Sequence, residues 1–257
     1  MWTHPGKLAI AFLVLGAVMY FGLTIVPREI KAPEEKMQAS ASRKGLNEEN
    51  LQKAMAELEP VQKAEVETLI KDLQNAASDS LRLPLLKRLS GVWYDHGRYE
   101  LSGDYASMVA GISKTADAWG IAGTSYLQGI DPEVPDAAIC KEKALVSFDE
   151  AIRLNPENPQ HRMNKALCLV RMPGENPMEG IMMLRELDQQ HPDYLPVQLT
   201  LSQLAIQTGQ LDKAYDRVKR NLVKYPEDKD LNCLMIQLIR QTGKNEPTAA
   251  LEKICGH

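Results

Sequence analysis

The chain has 257 residues, 44% of them hydrophobic and only 5% aromatic, enough apolar material for a core packed through Leu, Ala and Met. A formal charge of −4 leaves no basic field for a phosphate backbone, which excludes nucleic acid as a partner class. No Gly-x-Gly-x-x-Gly, Walker loop, Gly-x-Ser-x-Gly or His-Glu-x-x-His occurs, so the chain reads as non-enzymatic, without cofactor or small-molecule substrate.

After a short tail (1–7), Leu8 to Val26 runs for 19 residues without a charge. At ~1.5 Å per residue such a helix is about 28 Å long, the thickness of a bilayer's hydrocarbon core. Val26-Pro27-Arg28 offers no small-x-small cleavage site, and the first cysteine, Cys140, lies too far along for a lipoprotein signal. The expectation is a single uncleaved transmembrane helix over 8–26. Lys7 precedes it, whereas Arg28, Lys31, Lys36, Arg43 and Lys44 follow. Counted alone, that bias would keep the C-terminal part in the cytoplasm, but long domains translocate largely regardless of flanking charge. Residues 27–46, with Pro27, Pro33, Ser40, Ser42 and Gly45, lack apolar periodicity and read as a polar tether.

Two helices are expected over 47–82. Asn47 is placed to cap the first, whose stripe is Leu51, Met55 and Leu58. Pro60 opens the second, whose stripe is Val66, Leu69, Ile70 and Leu73. From Leu83 a helical hairpin follows, with Leu86, Leu89, Ser90 and Trp93 on its first helix, Gly97 in the turn, and Ser102, Ala106 and Val109 on its second. Trp119, Ala122, Gly123 and Tyr126 then share one helix face, and Ala144, Phe148 and Ala151 share another, closed by Asn155-Pro156. Gly180, Leu184 and Leu187 repeat this small–large–small spacing before Pro192, and Ala214, Val218 and Asn221 repeat it before Pro226. Excess residues fall in the 128–136 loop and in the Pro173–Pro177 turn.

These markers resemble the tetratricopeptide repeat (TPR), a unit of about 34 residues with Trp…Leu-Gly…Tyr on its first helix and Ala…Phe…Ala…Pro on its second. Several positions depart from the pattern: Ala122 and Lys165 stand for leucine, Leu184 and Val218 for the aromatic, and Asn221 for a small residue. The resemblance implies an all-α solenoid of four to five units over 83–257, the first and last degenerate, preceded by the transmembrane helix. Position one of the unit falls at Ala116, Pro159, Leu195 and Lys229.

Cys140, Cys168, Cys233 and Cys255 form no Cys-x-x-Cys pair and read as isolated small hydrophobes; one bridge stays open if the compartment is oxidising. His161 and Cys168 lie two helical turns apart, too far to share a metal, and Cys255-Gly-His257 is a single pair that does not complete a tetrahedral site, so no metal site is expected.

In the family, positions 2, 5, 9, 12 and 13 face the concave surface. Carried onto the middle units, they place Met163, Leu167, Leu199 and Ile206 as an apolar strip with Arg171, Gln203 and Gln207 at its rim, the candidate protein-binding groove. Asn164 matches one residue of the family's carboxylate clamp, but Gly120, Thr124, Pro196 and Thr200 break the rest. A short tail, one span and a repeat domain are similar to bacterial signal-anchored envelope TPR proteins. The expected protein is therefore a non-catalytic adaptor in the inner membrane, its repeats periplasmic, with a protein or peptide partner. The alternative is an assembly or maturation chaperone, like the TPR subunits of cytochrome c maturation or those beside the secretion channel.

Overall fold

The computed structural model describes residues 47–134 and 136–256; the expected transmembrane helix and tether lie outside the described residues. Among the described residues the chain is entirely helical, with twelve helices and no strand. None of these helices is long and apolar enough to cross a membrane. They are α1 (Glu48–Ala56), α2 (Pro60–Asn75), α3 (Asp79–Asp95), α4 (Tyr99–Ser113), α5 (Ala116–Gln128), α6 (Ala137–Leu154), α7 (Pro159–Arg171), α8 (Glu179–Gln190), α9 (Leu195–Gln207), α10 (Leu211–Lys224), α11 (Lys229–Thr242) and α12 (Ala249–Cys255). Successive helices pack as antiparallel pairs, α3 on α4 through to α11 on α12, and α2 lies against α3.

Local chemistry sets half of the helix starts. The Asn47 side chain accepts from the Glu49 and Asn50 amides at 3.1 and 3.3 Å. Thr115, Asn158 and Asp228 cap α5, α7 and α11 in the same way. Proline occupies the first turns of α2, α7 and α9, where its missing N–H costs no helical bond. The first helices of the four units begin at Ala116, Pro159, Leu195 and Lys229, in register with the repeat. Ahead of them, α3 starts at Asp79 rather than near Leu83, because the Ser78 carbonyl accepts from Leu81 and Arg82 and carries the helix through Pro84.

Close approach then turns hairpins into a stack. Phe148 is fully buried against Gly123, where a Cβ would stand 2.7 Å from its ring. At Gly180 a Cβ would meet the Ala166 carbonyl at 2.7 Å, so α8 and α7 also touch nearly backbone to backbone. The departures from the repeat pattern are absorbed: Ala122, Leu184 and Val218 are fully buried, and Asn221 satisfies its amide on the Arg217 carbonyl at 2.9 Å. Lys165 pairs with Asp149 instead of entering the core.

Cys140 and Cys168 are buried free thiols, as isolated hydrophobes should be. Cys233 and Cys255 depart from that expectation by forming a disulfide. The short α12 turns back on α11 and brings their Cα atoms to 5.1 Å, a juxtaposition that a separation of 22 residues does not announce.

A buried ionic cluster joins α1, α4, α5 and α6, and nothing in the repeat pattern foretells it. Lys143 Nζ reaches Glu100 at 2.8 Å and Asp104 at 2.7 Å. The Tyr126 hydroxyl donates to Asp104 at 2.7 Å, and the Asn50 amide donates to Glu100 at 2.8 Å. Two carboxylates thus share one ammonium. Burial lifts the Asp104 carboxyl above the usual range, against the pull of Lys143 and Tyr126. Burial alone would depress the Lys143 ammonium, but the two acids outweigh it and hold it above its ordinary value.

Both the aromatic plug and the ionic cluster can be tested by substitution. Phe148→Ala should lower unfolding stability by about 3–5 kcal/mol in urea titration, because the ring fills a closed space. Lys143→Met should cost about 2–4 kcal/mol near pH 7, somewhat less than for a wholly buried pair because the lysine side chain is 21% exposed. That loss should shrink as the pH falls through the raised Asp104 pKa, since an acid with a raised folded pKa destabilises above that pKa and ceases to once protonated. Urea titrations over a series of falling pH values check the sign.

Candidate functional site

The strip residues fall on two helices. On α7, Met163, Leu167 and Arg171 recur every four residues, and on α9 Leu199, Gln203, Ile206 and Gln207 keep the same face. Met163, Leu167, Leu199 and Ile206 are half-buried, while Arg171, Gln203 and Gln207 are exposed. Each apolar member leans on a core without entering it. Met163 packs on the cluster of Leu184, Leu187 and Val197, and Leu167 on that of Phe148 and Cys168. Leu199 and Ile206 pack on the cluster of Leu231, Met235 and Leu238. The Arg171 guanidinium donates to the Leu127 carbonyl at 2.8 Å, which spans the end of α5 and fixes that side of the strip.

Outside the two middle units the inner face offers no comparable row of half-exposed apolar side chains. In the first unit, Gly120 and Leu127 are buried, and His161 packs so tightly on Gly120 that a Cβ there would stand 2.7 Å from the imidazole. Burial holds the His161 pKa below its ordinary value, with Asp117 opposing, so the ring stays neutral at physiological pH. Asn164 is buried and its amide donates to Thr124 at 3.4 Å, so that donor is already engaged within the chain. In the fourth unit Cys233 is spent on its disulfide, leaving Gln237 and Gln241 exposed. The strip on α7 and α9 lies between these two units. The N-terminal helices share a core with α3 and α4 instead, through Ala54, Met55 and Val66.

Reactive chemistry is sparse. The thiols of Cys140 and Cys168 are pushed up to about 12 by burial, which removes the thiolate that nucleophilic or metal chemistry needs. Among the described residues no three His, Cys, Asp or Glu side chains group as metal ligands. An open depression of about 540 Å³ lies on α8, between Met182, Arg185 and Gln189 rather than on α7 or α9. It is a shallow hollow over one helix and converges no reactive groups.

No protein-family model matches the chain, and no curated protein matches its sequence. Solved structures do. A thermophilic TPR protein of Thermus thermophilus superposes with a TM-score of 0.51 at 15% identity, covering 69% of this chain and 90% of that one. A tetratricopeptide repeat protein of Parabacteroides merdae superposes with a TM-score of 0.50 at 18% identity, covering 81% and 84%. At such identities the likeness speaks for the backbone alone: the described residues form a TPR-like helical fold.

Proposed function

We propose that this chain is a non-catalytic, membrane-anchored adaptor whose TPR-like repeats stand in the periplasm and hold a segment of another envelope protein along α7 and α9. The observation that carries the reading is the row of half-exposed apolar side chains, Met163, Leu167, Leu199 and Ile206, bordered by Arg171, Gln203 and Gln207. An apolar strip with a polar rim suits the apolar face of a helix or an extended peptide. The anchor rests on the uncharged run at 8–26. The Cys233–Cys255 disulfide supports an oxidising compartment, against the positive residues that follow Val26.

The groove is tested by photo-crosslinking in intact cells from Gln203 and Gln207, which are exposed and whose replacement leaves the core intact. One stoichiometric protein is expected there and not from Val223 on α10, an 83% exposed control position. Leu199→Glu should weaken that capture about tenfold or more, because a charge would enter an apolar contact. Many substoichiometric products would instead favour a chaperone, and none would overturn the groove. For the compartment, a phosphatase fused after His257 should be active in intact cells; a fluorescent cytoplasmic reporter at that position would withdraw the envelope assignment.

A further inference from the structure

We infer that the Cys233–Cys255 disulfide is a redox latch: it holds the C-terminal helix α12 on the last unit, and its reduction frees that helix and bares the apolar end of the repeat stack. Little else holds α12 in place. The helix has seven residues, and Cys255 is its only buried one. Leu251 is partly buried against the α10–α11 core, whereas Ala249 and Ala250 are exposed. A helix this short has no stability of its own. Its ion pair, Arg240 to Glu252 at 3.6 Å, lies at the surface, where such pairs contribute little, and the part-buried bond from Thr248 to Glu252 at 2.9 Å ties the helix only to its own N-cap residue. The preceding loop is better held, since Glu246 accepts from Tyr215 and lies 3.5 Å from Lys219, with Lys244 4.7 Å from the Tyr215 ring. Release would therefore begin beyond Pro247.

What α12 covers is apolar. Cys233, Ile236 and Arg240 lie along one side of α11 by helical spacing, and Cys233 and Arg240 both meet α12. Ile236, between them, is 3% exposed, and Leu251 of α12 packs on the cluster that holds Leu231, Leu234, Met235, Leu238 and Ile239. The other hairpins pair through full-length second helices; among the described residues only this truncated one relies on a covalent bond.

The chemistry needs a dithiol reductant of the thioredoxin-like class. Its thiolate attacks the Sγ of Cys233, the less buried of the two residues, and Cys255 leaves as a thiolate that takes up a proton. The reductant's second thiol then displaces Cys233, so the chain gains two thiols and the reductant becomes a disulfide. The latch does not depend on what the α7–α9 strip binds.

The test is hydrogen–deuterium exchange on the full chain in detergent, oxidised, reduced with dithiothreitol, and as the Cys233→Ser/Cys255→Ser double variant. Reduction and the double variant should both speed exchange over 248–256 about tenfold or more while α3 to α8 stay unchanged. Cys255 should become open to maleimide in the reduced chain. Unchanged exchange in α12 after reduction would overturn the latch, and so would loss of protection spreading through α9 and α10, which would make the bond a staple of the whole array. No partner enters this readout, so a failed cross-link at Gln203 leaves it untouched.

Discussion

Phe148 stands where a side chain at residue 123 would have to be, and the repeat stack depends on that exclusion. Only glycine lets α5 come close enough for the ring to close the space, and only a large residue at 148 fills what glycine leaves. Gly180 plays the corresponding part between α8 and α7, with a backbone carbonyl in place of a ring. Once such pairs fix the distance between helices, the remaining slots tolerate exchange. Leucine at 184 and valine at 218 serve where the family has an aromatic, and both are fully buried. The core is continuous in kind but divided into four clusters, as expected of a stack in which each unit touches only its neighbours.

The same stacking leaves the ends of the array to be finished by other means. At the N-terminal side α1 and α2 bury Ala54, Met55 and Val66 against α3 and α4, and a polar cluster adds to that closure: Asn50 on α1 reaches Glu100, and Lys143 draws Glu100 and Asp104 together. Such a cluster gains less stability than an apolar plug would, but it accepts only one arrangement of the helices that supply it. At the C-terminal side the finish is covalent, because α12 is too short to bury its way onto α11. Between these two closures the first helices of the middle units carry apolar side chains that no element of the described chain covers completely. That asymmetry is what the proposed partner site rests on.

Much of this could be read from the residues in order. Helix starts at Ala116, Pro159, Leu195 and Lys229 follow from the repeat register that the resemblance carries, and the face shared by Leu199, Gln203, Ile206 and Gln207 agrees with helical spacing. Both depend on spacing along the chain, so the order of residues contains them. Which inner-face positions remain accessible depends on other helices. Gly120 and Leu127 belong to the inner face by register, yet His161 and the packing of α5 remove them from it. Lys143 meets acids 39 and 43 residues before it, and Cys233 meets Cys255 across 22 residues. No local pattern encodes such meetings, because they exist only once the distance and angle between packed helices are set. Sequence alone determined the period and the strip; the tertiary packing decided where the strip ends and what locks each end of the array.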